Sequence, residues 1–430
     1  MNNKSILGKI TPYSLFAAIV SCCAAGFLIL AFVNQSRETL DWLIMQHTHE
    51  YSFADYFYHI FYGSDLTKTY NSYDVDPCFP PFAYLFYNYL YKIAPVAEME
   101  SLREVQFYPY YMFIFVIAMS LCIVLLSFGI RIFFEKRSEA VGSAKSLLLT
   151  VLMIFSVPVG MSAIERANSA LVVLILLIYA MAFKDSENRA LRELSLILIA
   201  IAANLKLYPA IFGLLYIKEK RWKEAARLVV YGVVLFVVPF FFMEGFKSMK
   251  EFLVIMYLMQ GRSIERLTTV RGVITSAFMY FGGEGAKWTG HRIGMIAENI
   301  YLLITLFCFF ISKSRWKSMF LLISPMVVYV SSAYRYTAAY FLVALLFFFA
   351  ETEGGALKGV GGFEAMSDKK MKNLIYAVLF AGIFAIPVWA YGLEVENVIY
   401  CFIYIMLIVV ITDTLKNSLR NCCKITCTFA

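Results

Sequence analysis

The sequence predicts an all-α, polytopic bundle of transmembrane helices, and three observations carry that reading. The mean hydropathy is +0.70. Charged residues make up 16% of the 430 positions against 61% hydrophobic ones, where a soluble domain carries about 25% charge. The apolar residues gather in separate long runs, at 13–33, 107–134, 228–246 and 297–312, and about 20 such residues span the ~30 Å hydrocarbon core of a bilayer. Several independent runs exclude a signal peptide or a single anchor.

Along the chain, the run at 13–33 is the first crossing. Lys4 and Lys9 precede it, and cytoplasmic flanks collect Lys and Arg. Basic gaps recur at 131–145, 184–192, 218–227, 313–317, 358–372 and 416–424; with Lys4 and Lys9 they hold 24 of the 38 basic residues. Placed inside, they leave outside the segments 34–106, 164–168, 247–292 and 334–336. Both termini are then cytoplasmic, in a cell (plasma) membrane. The alternation requires that the aromatic stretch 79–96 does not cross fully.

Between two basic flanks, 194–217 reads as two apolar pieces of roughly 11 to 12 residues around Lys206-Leu207-Tyr208-Pro209, each too short to span. This predicts a re-entrant hairpin turning at Lys206, with Pro209 unable to continue a helical ladder. Irregular backbone at that depth is tolerated where protein buries it or where it lines a cavity. In all, roughly 10–13 membrane segments and some outer interfacial helices are expected, as one integral membrane domain over 1–430. Within it, 1–230 is the expected catalytic module with outer loop 34–78. Residues 231–412 add further helices with outer loop 247–292, and 413–430 form a cytoplasmic tail. The Gly-rich stretch 354–368 reads as an inner linker.

The net charge of +8 sits in the gaps between apolar runs, so it calls for no nucleic-acid partner. The nine cysteines are scattered and imply no disulfide framework. Cys422, Cys423 and Cys427 in the tail suit palmitoylation or metal binding, with ordinary juxtamembrane cysteines the plainer reading.

Several places hold residues able to do chemistry. In the first outer loop, Asp55 stands among aromatics; on a helix it shares a face with His59 four residues on. A carboxylate against an apolar wall suits a general base; a cap or a solvated interfacial side chain is the plainer reading. At the next outer junction, Glu165 and Arg166 are expensive at membrane depth unless paired or used; an internal ion pair with Asn168 capping the following helix is the alternative. Lys206, an ammonium inside a short hairpin, must find water, a carboxylate or an anion. A further place is the outer stretch 247–292, which holds a run of basic residues including Arg271, with Arg262 and Arg266 spaced four apart. Arg donates bidentately to phosphate, and most of these read equally well as solvated helix surface. Arg335, where helices converge, is the stronger single candidate.

The stretches Phe53-Ala-Asp55-Tyr-Phe-Tyr-His-Ile60, Cys78-Phe-Pro-Pro-Phe-Ala-Tyr-Leu-Phe86, Glu165-Arg-Ala-Asn168 and Ala202-Ala-Asn-Leu-Lys206-Leu-Tyr-Pro209 together resemble glycosyltransferase family 87. They stand in the family's order and reach across residues 50–230; beyond that the likeness is in hydropathy alone. The resemblance implies the multi-spanning glycosyltransferase C-type fold, a polyprenyl-phosphate-linked sugar donor and an acceptor on the outer face. It further implies inverting transfer with Asp55 at the base position. It places Glu165, Arg166 and Asn168 in the second motif, where Ala167 stands in place of a common Gly. Lys206 and Tyr208 match the element beside the donor phosphate. His59 would orient Asp55 or bind a sugar hydroxyl, and Arg335 and Arg166 would join Lys206 at the departing phosphate.

The expected reaction moves a mannose-like hexose to a cell-envelope glycolipid or cell-wall polymer acceptor, within the lipid bilayer. It asks for no cofactor and leaves a divalent metal open, for which Asp74, Asp76 and Glu165 are the available carboxylates. Two other readings fit an apolar chain of this kind. A lipid or solute transporter or flippase would show paired broken helices in two related halves. A polysaccharide polymerase would carry a large outer loop with its own acid and base.

Overall fold

The computed structural model describes residues 10–44, 53–71, 77–93, 108–138, 141–259, 267–330, 334–353 and 363–428. Among the described residues there is helix and no strand, as expected of an all-α bundle. Six helical segments are long and apolar enough to cross a membrane: Pro12–Asn34, Pro109–Arg137, Trp222–Phe242, Glu284–Ile311, Arg335–Glu353 and Val395–Arg420. The chain is therefore a polytopic membrane protein.

Helix α1 (Pro12–Asn34) begins where Thr11 and Ser14 cap each other's backbone N–H groups and Pro12 takes the first helical position, a site whose N–H has no helical partner. It is followed by the short α2 (Arg37–Leu43), capped by Ser36. Helices α3 (Ala54–Tyr62) and α4 (Pro81–Ile93) lie between α1 and the long α5 (Pro109–Arg137). At 13 residues, α4 is about 20 Å long, shorter than the hydrocarbon core.

Next come α6 (Ser143–Ile154), a π-helical turn at Val159–Ile164 and α7 (Ala170–Phe183). Helix α7 is apolar on every side and buried over most of its surface, as suits a helix without a polar stripe. The hairpin at Lys206 differs from the expectation of two 11- to 12-residue pieces. Its first arm, α8 (Arg189–Leu205), is one continuous 17-residue helix capped by Asn188. The charged first turn, left out of an apolar count, is helical too. The second arm is irregular: a 3-10 turn at Tyr208–Phe212 containing Pro209, then α9 (Gly213–Lys218).

Helix α10 (Trp222–Val237) follows and packs along α8. The stretch expected as outer loop 247–292 is largely helical instead, holding α11 (Phe246–Met259), α12 (Val270–Gly282) and the start of α13 (Lys287–Ile311). Arg262 and Arg266 lie outside the described residues. Helices α14 (Arg315–Val328), α15 (Phe341–Glu353), α16 (Phe363–Phe384) and α17 (Val395–Thr428) complete the chain.

Helix α15 is the centre of the bundle. Every residue from Phe341 to Phe349 is buried, whereas α1, α5 and α10 keep apolar side chains such as Phe32, Phe113 and Val233 at the surface, where lipid replaces water as solvent. Because lipid is as apolar as these side chains, close packing and not water exclusion holds such helices together. At the basic end, Lys184 bonds Glu219 at 2.5 Å and Asp185 receives Arg137 at 2.7 Å and Arg221 at 2.9 Å, tying the ends of α5, α7, α9 and α10.

Candidate functional site

The turn between α6 and α7 builds the first half of the site. Its π-helical coil brings Gly160 against Ile154 so closely that a Cβ at Gly160 would stand 1.7 Å from the Ile154 carbonyl oxygen; only glycine fits. The coil ends at Ala167, which has a left-handed φ of 51°, a conformation that costs a residue with a Cβ about 1 kcal/mol. This is a physical reason for a glycine at the equivalent family position. Ala167→Gly is expected to stabilise the protein by about 1 kcal/mol. A raised thermal midpoint with transfer activity unchanged would bear this out; a lowered midpoint would contradict it.

Two strands of backbone are stitched together at this turn. The Phe53 N–H donates to the Glu165 carbonyl at 2.8 Å, and the Asp55 N–H to the Arg166 carbonyl at 3.2 Å. Phe53, itself left-handed at φ 60°, swings the chain into α3 so that Asp55 faces the turn. The Asp55 Oδ1 accepts from an Arg166 guanidinium nitrogen, and its Oδ2 accepts from the Asn168 amide at 2.6 Å. Asn168 uses its other end as well, its Oδ1 accepting from the Ala170 N–H at 2.9 Å. Asn168 thus caps α7 as expected and also positions the carboxylate. Arg166 forms an ion pair with Asp55, 111 residues away in sequence.

One helical turn on, His59 is buried, with Nδ1 3.1 Å from the Tyr84 hydroxyl and its ring stacked on Phe79, centroids 3.7 Å apart. Burial holds its imidazole down to about 3; the Asp55 carboxylate acts upward, while Lys206 and Arg166 add to the depression. The folded pKa lies below the ordinary 6.5, so between pH 6.5 and about 3 the unfolded chain binds more protons and stability falls as pH falls. The thermal midpoint of wild type should drop more steeply from pH 7.5 to pH 4.5 than that of His59→Gln. Parallel slopes would remove His59 from the acid response.

Phe79 carries the site onward to the hairpin. The Lys206 ammonium stands 4.5 Å from the Phe79 ring centroid, 5.2 Å from that of Tyr336 and 6.0 Å from that of Tyr208. The ammonium thus lies against three aromatic faces. Ring quadrupoles offset part of the cost of burying the charge and leave all three N–H bonds for a further ligand. Tyr208 is fixed by Tyr340, their hydroxyls 3.1 Å apart. Lys206, Phe79 and Tyr208 open onto a cavity of about 420 Å³ that Met256, Met259 and Arg271 also line. Arg271 is held by buried Glu298, its Nε and Nη2 donating to Oε2 at 2.8 and 2.5 Å.

Arg335 is buried, and its Nη2 donates to the carbonyls of Leu43 at 2.6 Å and Met161 at 3.3 Å. It therefore ties α2 to the π-helical turn behind Asp55, a buttressing position. The structure thus brings Asp55, Arg166, Asn168, His59, Lys206 and Tyr208 into one neighbourhood, with Glu165 contributing its backbone. Phe79, Tyr336 and Arg271 are the residues that sequence reasoning did not single out for this site. Among the described residues no group of three His, Cys, Asp or Glu stands together as metal ligands; Asp74 and Asp76 lie outside them.

The family model of glycosyltransferase family 87 matches residues 79–350. No curated protein and no solved structure matches the chain. The matched stretch contains Glu165, Arg166, Asn168, Lys206, Tyr208, Arg271 and Arg335 and begins after Asp55 and His59, so these two join the site through their contacts with Arg166, Asn168 and Phe79.

Proposed function

As the chain belongs to glycosyltransferase family 87, we propose that this membrane glycosyltransferase moves a mannose-like hexose from a polyprenyl-phosphate donor to a cell-envelope glycolipid or polymer on the extracytoplasmic face of the plasma membrane. The observation that supports this most is the pairing of an oriented carboxylate, Asp55, with a buried ammonium, Lys206, across one aromatic wall. The cavity beside Lys206 has cations and apolar side chains together, a combination that suits a phosphate carrying a hydrocarbon tail.

In the proposed step the acceptor hydroxyl oxygen attacks the anomeric carbon from the face opposite the phosphate. Asp55 takes the hydroxyl proton. The bond from anomeric carbon to phosphate oxygen breaks with its electron pair on the departing polyprenyl phosphate, giving inversion. Arg166 and Asn168 each hold one Asp55 oxygen, and each oxygen keeps a lone pair for the proton. Lys206, with Arg271 lining the same cavity, meets the charge that develops on the leaving phosphate, where a fixed cation in a water-poor site is most effective. Tyr208 would bind the same phosphate through its hydroxyl.

A donor panel tests the reading. Protein in lipid nanodiscs would be given labelled hexose on polyprenyl monophosphate, on polyprenyl diphosphate and on a nucleotide. Transfer from the monophosphate alone is expected. Use of the nucleotide sugar would overturn the lipid-donor assignment, and donor translocation without any transfer would favour a flippase.

A further inference from the structure

About 25 Å from Lys206, at the other end of the 17-residue α8, the ends of α8 and α10 form a second concave site of about 540 Å³. It gathers Arg189, Arg192, Lys220, Arg221, Lys223 and Arg227. Its two acids are already engaged: Glu193 pairs with Arg227 at 3.1 Å, and Glu224 is held by Arg221, with Arg192 3.8 Å away. Arg189, Lys220 and Lys223 have no acidic partner among the described residues. Converging cations on two adjacent helix ends repel one another, so the site is electrostatically incomplete as it stands.

The basic site continues into an apolar groove of about 650 Å³, which shares Arg189 and Glu193 and runs over the exposed side chains of Leu194 and Ile197. Trp222, also exposed, stands on the rim between Arg221 and Lys223, where an indole favours the level of lipid headgroups. We propose that this is a binding site for one anionic phospholipid. Its phosphate lies among Arg189, Lys220 and Lys223, and an acyl chain follows Leu194 and Ile197. The charge selects the headgroup, and the groove selects a ligand with a tail over free phosphate. The site is separate from the sugar-transfer site and does not rest on that reading.

The test uses the full chain in detergent, titrated with phosphatidylglycerol, phosphatidylcholine or inorganic phosphate, with bound lipid counted by native mass spectrometry. Each basic residue near a lipid phosphate contributes about fivefold to affinity, so the combined Arg189→Gln, Lys220→Gln and Lys223→Gln variant should bind phosphatidylglycerol roughly 100-fold more weakly. A control variant losing three cations at other basic helix ends, Lys136→Gln, Lys313→Gln and Arg315→Gln, should retain the site. Ile197→Glu should weaken phosphatidylglycerol and leave inorganic phosphate unaffected. If the triple variant does not fold, quenching of Trp222 by brominated lipid in the wild type decides, a Trp222→Phe chain giving the background. Stronger quenching by brominated phosphatidylglycerol than by brominated phosphatidylcholine supports the site. Equal retention of the two lipids, or equal losses in the triple and control variants, overturns it.

Discussion

Asp55→Asn is expected to lower the rate of sugar transfer by about 10² to 10⁴-fold, the usual contribution of a positioned general base, while donor affinity stays close to that of wild type. The substitution keeps the shape of the side chain and removes its ability to take a proton. It also changes the local bonding: Asp55 accepts from both Arg166 and Asn168, and a neutral amide has only one oxygen for two donors. One of those donors loses its partner, so stability should fall by about 1–3 kcal/mol. The rate must therefore be read on folded protein, below the lowered thermal midpoint, by single-turnover transfer from pre-bound donor. Asp55→Glu, which keeps the charge and moves it by one methylene, should retain more activity than Asp55→Asn. The opposite order would mean that Asp55 is a packing residue for the turn at Glu165–Asn168 and not the base.

Lys206→Met is expected to cost about 10² to 10³-fold in kcat and to raise KM for the donor, with little change in fold stability. Lys206 is nearly enclosed by Phe79, Tyr208 and Tyr336. Methionine is of similar length, needs no solvation, and makes favourable contacts of its own with ring edges. The loss of cation–π attraction, on the order of 1–2 kcal/mol, is offset by removal of the cost of burying an ammonium. Activity and stability should therefore separate. Lys206→Arg should recover part of the rate, because charge returns while the planar fork fits the same aromatic box poorly. A Lys206→Met protein that transfers sugar at the wild-type rate would take the ammonium out of the reaction; one that fails to fold would make Lys206 a structural residue.

Much of this site was legible because charge is conspicuous in an apolar chain. Asp55, Glu165, Arg166 and Lys206 stand out against long hydrophobic runs, where each is expensive unless it has a partner or a task. Their partners were not legible. The bond from Arg166 to Asp55 spans 111 positions, and no local pattern announces it. Phe79 and Tyr336 were hidden for another reason: with 17% aromatic residues, an aromatic at a site looks like one packing a core.

Arg271 was read as one of several surface cations, yet the sign of its true position was present in Glu298, a lone acid opening the apolar run 297–312. A buried carboxylate requires a cation, and Arg271 supplies it at 2.5 Å. For the fold, the long lipid-facing helices such as α1 and α5 were found by run length. The short ones, α6, α7 and the arms of the Lys206 hairpin, were blurred because their apolar runs are shorter than a full crossing. The π-helical turn was invisible, resting as it does on a single close approach at Gly160.

The account holds that Asp55 and Lys206 serve opposite halves of one transfer, proton removal and departure of the phosphate. The most direct test measures donor binding and single-turnover transfer together, in the same nanodisc preparations, for wild type, Asp55→Asn and Lys206→Met. The account predicts that Asp55→Asn binds the polyprenyl-phosphate hexose as wild type does and transfers almost none of it, whereas Lys206→Met both binds weakly and transfers slowly. Asp55→Asn protein that turns over bound donor at the wild-type rate would contradict it.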